Sequence, residues 1–458
     1  IKALGSANLF LINPNGITFG KDASLNIGGS FFATTAERIK FSDGSFYSAI
    51  NPEVNSLLTV SVPLGLQYGS NSGNIIVQGV GNNLSFDSSG TFIQKDNRPV
   101  GLQVNSGNTL ALIGGKVKLQ GGNLTAKQGR VEIGSVADTG LVTLIAKDTG
   151  FIPNYEQIIE FDDISLAKAS SIEVSGNGAG KVNIQGKNVS LTDGSGIMAD
   201  LYPDVPGGED KSGGEIKITG SESVTIDGMA ESNFFVTLLS SDVFSQGDAG
   251  IIQINTDKFS LSRGAQILSV AFSQGDAATV DIKAKEIEIS DEIGAPVPTG
   301  IFAPVVPFAT GEGGDVKIKT DSLVMKNGSQ IFVATLGDGD AGQVEIKAKT
   351  VEFIGTAFEM FPSGIIASVQ KAGDFPALGK GGDVKIVTDI LRLINGGQIN
   401  LSTSNTGNAG NLMIEAKDIE ITGASDLNVS SGLFANVNVT AVKLGKRVND
   451  AEVLSQYS

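Results

Sequence analysis

The side chains whose types and spacing could do chemistry in this chain are carboxylates. Asp162-Asp163 is a vicinal pair, and Asp200, Asp204, Glu209 and Asp210 fall in one polar stretch. Cutting a sugar polymer by general acid and base would need several Asp or Glu on neighbouring elements, often with Arg or Lys beside them. Adjacent residues on a strand face opposite ways, so a vicinal pair does not share a cleft. The second set reads as a solvated loop. Three related hexads, SQGDAG (245–250), SQGDAA (273–278) and GDGDAG (337–342), offer oxygen ligands for a hard cation. They lack the nonapeptide spacing of calcium β-rolls, so glycine corners with a solvated Asp are the plainer reading.

Other chemistry is excluded by composition. The 458 residues contain no His and no Cys, which removes the Ser-His-Asp triad, thiolate nucleophiles, thiolate zinc sites and disulfides. A cysteine-free chain is compatible with export through a pore. There is no Trp, and aromatics at 6% are too few for a series of sugar-stacking platforms. No catalytic, metal or cofactor residue is therefore assigned. Residues 1–160 carry 11 basic and 11 acidic residues, so the net charge of −16 lies wholly beyond them. An acidic body does not suit nucleic acid or an anionic membrane.

The elements that must position any site repeat. Anchors at Gly180, Gly214, Gly250, Ala278, Gly314, Gly342, Gly382 and Gly410 are spaced 34, 36, 28, 36, 28, 40 and 28 residues apart. Two past each anchor stand Val182, Ile216, Ile252, Val280, Val316, Val344, Val384 and Leu412; four past, every residue is Ile. That spacing puts both side chains on one face of a strand. A second strand follows, with pairs such as Phe259/Leu261 and Leu323/Met325. A third is less regular: AQILSV, SQIFVA and GQINLS, or GIFAPV, GIIASV and GLFANV. A unit this short cannot cover its own apolar face, so stacking must bury it. The expected fold is all-β: a right-handed parallel β-helix with three short strands per turn.

Seven past successive anchors stand Asp257, Lys285, Asp321, Lys349, Asp389 and Lys417. Stacked turns lie ~5 Å apart, where opposite charges pair and like charges repel. The alternating row is expected to set register more than stability. Unit length alternates as well, so the true repeat is read as a pair of turns.

Near the start, Asn13-Pro14-Asn15-Gly16 separates ANLFLI from ITF. Pro14 has φ preset for the second position of a type I turn, Asn13 can cap it, and Gly16 fits the fourth. The stretch is expected to form the first corner of the same coil.

ANLFLINPNGITFG resembles the second of two Asn-Pro turn motifs in the secretion domain of filamentous-haemagglutinin-like exoproteins of two-partner secretion systems. ASLNIGGSFFATTAERIKFSDG, LLTVSVPLGLQYG and GRVEIGSVADTGLVTL are similar to the large cyanobacterial versions. The resemblance implies a right-handed β-helix recognised by periplasmic domains of a dedicated outer-membrane pore. It implies that Asn13, Pro14, Asn15, Gly16 and Ile17 serve recognition. The family's first motif, NPNL, is expected upstream, because the chain opens on Ile1 with no signal peptide in view.

Residues 1–160 are thus expected to be the C-terminal part of the secretion (haemagglutination activity) domain, and 161–458 an acidic β-helical repeat region. The expected function is a non-enzymatic exoprotein, extracellular or on the cell surface, acting in adhesion. Its partners would be the outer-membrane transporter and a cell-surface or polysaccharide target, not nucleic acid. The alternative from another class is a β-helical polysaccharide lyase or hydrolase.

Overall fold

The computed structural model describes residues 1–3, 5–51, 61–88, 92–203, 211–231, 235–291, 297–357, 361–371, 373, 375–403, 407–425, 428–435 and 441–444. Among them the regular elements are all β-strands.

The aliphatic positions stack in parallel register, turn upon turn. Val182 pairs with Ile216, and the column continues through Ile252, Val280, Val316, Val344 and Val384 to Leu412. Upstream it runs back through Val131, Leu110 and Phe31 to Leu9, so the coil begins well before Gly180. Ile318 is 2% exposed and lies between Ile282 and Ile346. A second column runs from Ile17 through Ile75, Val117, Ile164, Val189, Val224 and Phe259. A third runs from Leu102 through Leu124, Ile172 and Ile197 towards Leu433, and takes in the irregular third strands. The inward side chains of all three form one continuous core. Each buried Val or Ile contributes ~1.5–3 kcal/mol before chain entropy is subtracted.

All the anchors but Ala278 are glycine, at corners that approach closely. A Cβ on Gly342 would sit 2.2 Å from the Gly314 carbonyl oxygen, and one on Gly410 would sit 2.1 Å from that of Gly382.

A second layer covers one side of the early turns. Strands Arg38–Phe41, Phe46–Ser48, Pro63–Tyr68, Gly140–Lys147 and Gly150–Asn154 make an antiparallel sheet. Its Leu66, Tyr68, Val142, Leu144 and Phe151 pack on the outward-facing Phe32, Ala111 and Ile113. Thr109–Gly114 is therefore buried at every residue, with a core on each face.

The alternation in unit length is an alternation of corners. In short units the second strand meets the third through a tight turn, with Asn327-Gly328 and Asn395-Gly396 in left-handed conformations. The long unit that starts at Gly342 pairs Thr356–Ala357 with Phe361–Pro362 there as a small hairpin.

Candidate functional site

Asn13-Pro14-Asn15-Gly16 joins Leu9–Ile12 to Ile17–Phe19 as a corner. The Gly16 amide donates to the Asn13 carbonyl at 3.1 Å, and the Asn15 amide donates to Asn13 Oδ1 at 3.2 Å. The turn closure and the side-chain cap read from the sequence are both present. Gly16 has φ +117°, which favours glycine. Asn13 and Asn15 are exposed, Pro14 and Gly16 half-buried. Ile17 is buried and paired with Ile75, so it anchors the end of the corner in the core.

The next corner rests directly on this one. The Gly73 amide donates to the Pro14 carbonyl, and the Ile17 amide to that of Asn74, both at 2.9 Å. Gly115 in turn donates to Gly73 at 2.9 Å, and the Lys116 amide to Asn74 Oδ1 at 3.2 Å.

Following the second column back two residues per turn gives one row along this edge: Asn15, Gly73, Gly115, Asp162, Lys187, Glu222 and Asp257. The alternating charges continue it. Lys285 meets Asp257 at 2.7 Å, Lys349 meets Asp321 at 2.9 Å and Lys417 meets Asp389 at 2.7 Å. Upstream, Lys187 meets Glu222 at 3.2 Å. The turn and the charge row are one edge of the coil, a continuity the sequence reading did not make.

Asp162 and Asp163 belong to that edge. Lys116 Nζ lies 3.4 Å from Asp162 and 2.9 Å from Asp163, and Asn188 Nδ2 donates to Asp163 at 2.9 Å. Burial opposes ionisation of Asp163, but Asn188 and Lys116 outweigh it and hold its pKa below the ordinary value. The pair ties corners together.

Asp200 corrects the solvated-loop reading, while Asp204, Glu209 and Asp210 lie outside the described residues. Asp200 is 1% exposed. Its Oδ2 meets Lys95 Nζ at 2.6 Å, and its Oδ1 accepts from Ser240 Oγ and, at 3.0 Å, from the Asp242 amide. On neighbouring turns, Glu173 takes Lys95 at 3.2 Å and Asp242 Oδ1 accepts from the Val270 amide at 2.9 Å. Burial would push the Lys95 ammonium down, but Asp200 and Glu173 overcome this and raise its pKa. Burial, with Asp200 close by, pushes Asp242 up to about 8. Three carboxylates on neighbouring turns beside a lysine are the raw material of acid–base catalysis. Here their oxygens are taken up by protein donors.

The hexads build a further corner. Asp248 Oδ1 accepts from the Asp276 amide at 3.1 Å, Asp276 Oδ1 from Glu312 at 2.8 Å, and Asp340 Oδ1 from Lys380 at 2.7 Å. Each carboxylate caps the turn above it. Among the described residues, no group of three or more His, Cys, Asp or Glu could hold a metal ion.

Sequence reasoning missed Lys95, whose Asp200 partner is 105 positions away with no repeat to point to it. It also missed the antiparallel sheet, although the unbroken apolar run LALI was a signal for a strand buried on both faces.

The TPS secretion domain family matches residues 1–184. No curated protein matches the chain, and no solved structure matches it.

Proposed function

We propose that this two-partner secretion exoprotein, whose TPS secretion domain lies in residues 1–184, offers the 13–16 corner to its transporter and acts outside as a non-enzymatic adhesin. The TPS domain implies a dedicated transporter and export across the outer membrane. The observation that carries the finer reading is the corner itself. Asn13 and Asn15 are exposed while the Gly73 and Asn74 backbone clamps the turn from behind. A partner would meet a corner whose backbone and Asn13 side chain are already held in place, at little ordering cost.

In this reading the coil is a right-handed β-helix with three strands per turn, the hand that parallel crossover connections almost always take. Residues 1–160 serve export, and 161–458 form an acidic stalk at the cell surface or in the medium. The engagement of Glu173, Asp200 and Asp242 with protein donors supports a structural role over a lyase or hydrolase.

The test has two arms. The natural full-length protein is co-produced with its transporter, with and without Asn13→Ala/Pro14→Ala, and the secreted protein is assayed for release of reducing ends from acidic polysaccharides. Loss of secretion in the variant, with no sugar release by the parent, is expected. Undiminished secretion, or steady release of reducing ends, contradicts it.

A further inference from the structure

We infer that residues 92–100 are a strap fastening the secretion domain to turns that lie beyond it. The strap crosses the outer face of the third column. Arg98 fixes it within the domain: Nε donates to Ser171 Oγ at 2.7 Å, and its two terminal nitrogens donate to Thr125 Oγ1 and the Leu124 carbonyl, each at 2.9 Å. Lys95 reaches past residue 184, the end of the family match, to Asp200 Oδ2 at 2.6 Å. Its ammonium also stands 5.3 Å from the centre of the Tyr202 ring.

Phe92 reaches further still. Tyr202 and Phe244 stack at 4.9 Å between centroids, Phe244 and Phe272 at 4.5 Å, and Phe92 lies 4.9 Å from Phe272. These rings come from successive turns, since Leu201, Val243 and Ala271 are bridged in parallel immediately before them. The ring faces cover one another, so they are no platform for a sugar. They form a rail on which one edge of the strap rests.

The consequence concerns the order of folding. Closing the long loop to Asp200 and Phe272 costs chain entropy, which the contacts made beyond the domain repay. While the chain emerges in order, Arg98 can seat early and Lys95 can meet Glu173, but the Asp200 carboxylate and the Phe244 and Phe272 rings are added only as the later turns are laid down. The folding unit of the secretion domain therefore extends beyond its 184 matched residues.

Amide hydrogen exchange on the full chain tests this, using Phe272→Ala in the repeats and Lys95→Gln in the strap. Phe272 is half-buried, so its truncation spares the core. Phe272→Ala is expected to speed exchange in 92–100 by roughly two- to tenfold, the worth of one ring pair. Lys95→Gln is expected to speed exchange at 196–202. Exchange at 344–347 should stay at the parent rate in both. Unchanged exchange in 92–100 for the first variant, or at 196–202 for the second, would show the strap held within the domain alone and overturn the inference. So would a uniform rise along the whole coil.

Discussion

The Gly73 amide donates to the Pro14 carbonyl at 2.9 Å, and this contact leaves no room for a side chain on Gly73. A Cβ there would lie 2.3 Å from the Gly16 nitrogen and 2.6 Å from the Pro14 oxygen. Backbone cannot yield as a flexible side chain would. Gly73→Ala should therefore pry the two corners apart at a cost of about 1–3 kcal/mol. Thermal melting checks it, with Gly20→Ala as control because nothing lies within 4 Å of a Cβ there. Equal melting temperatures for the two variants would contradict the stacked corner.

Ile318→Asp would place a carboxylate between Ile282 and Ile346. With no partner in that column, the charge or its neutral form costs several kcal/mol, on the order of 3 or more. A large fall in melting temperature is expected. An unchanged melt would mean the register is wrong.

Lys349→Asp would replace the 2.9 Å ion pair to Asp321 with a row of three acids, the new carboxylate standing between Asp321 and Asp389. Both members of the present pair are more than half exposed, so the destabilisation should be small and should shrink as salt is added. Melts at low and high salt that differ equally from the parent would count against the row.

The repeats were legible because the core demands an aliphatic residue at Ile184, Ile218, Ile254 and each equivalent, while all the anchor corners but Ala278 carry glycine. The early turns share the same columns but were hidden. The outer-sheet strands from Arg38 to Tyr68 interrupt them, and Ala111 and Ile113 are buried beneath that sheet, which erases the two-residue alternation. The Asn13-Pro14 corner was legible as local turn chemistry. Its rear clamp was not, because Gly73 and Asn74 are brought to it only by the coil. The burial of Asp200 was illegible for the same reason: the lysine that makes it tolerable comes from the strap.

Asp242 gives the strap region a pH dependence of unusual sign. Its folded pKa lies at about 8, above the usual ~3.9 of an unfolded Asp, because burial and Asp200 disfavour its charge. Between those values the folded state holds a proton that the unfolded state has lost. This contribution to stability is full below about pH 4 and drains away as pH rises towards 8. Asp242→Asn keeps an acceptor for the Val270 amide and removes the ionisation. Its melting temperature should exceed the parent's at pH 8 and match it near pH 4. A constant difference across that range would contradict the buried, protonated Asp242.

Export of the natural full-length chain through its transporter tests the central claim most directly. Secreted protein is measured for two variants against the parent. In one, Asn13 and Pro14 are both replaced by Ala, which removes the 3.2 Å side-chain cap and the preset φ. In the other, the paired unit 314–381 is deleted, joining Gly313 to Gly382 and setting Lys285 beside Asp389, so that corner, core column and charge row all remain in phase. Secretion is expected to fall several-fold in the first and to stay near the parent's in the second, because stacked turns are modular. Normal secretion with the corner replaced, and lost secretion with the paired unit deleted, would contradict it.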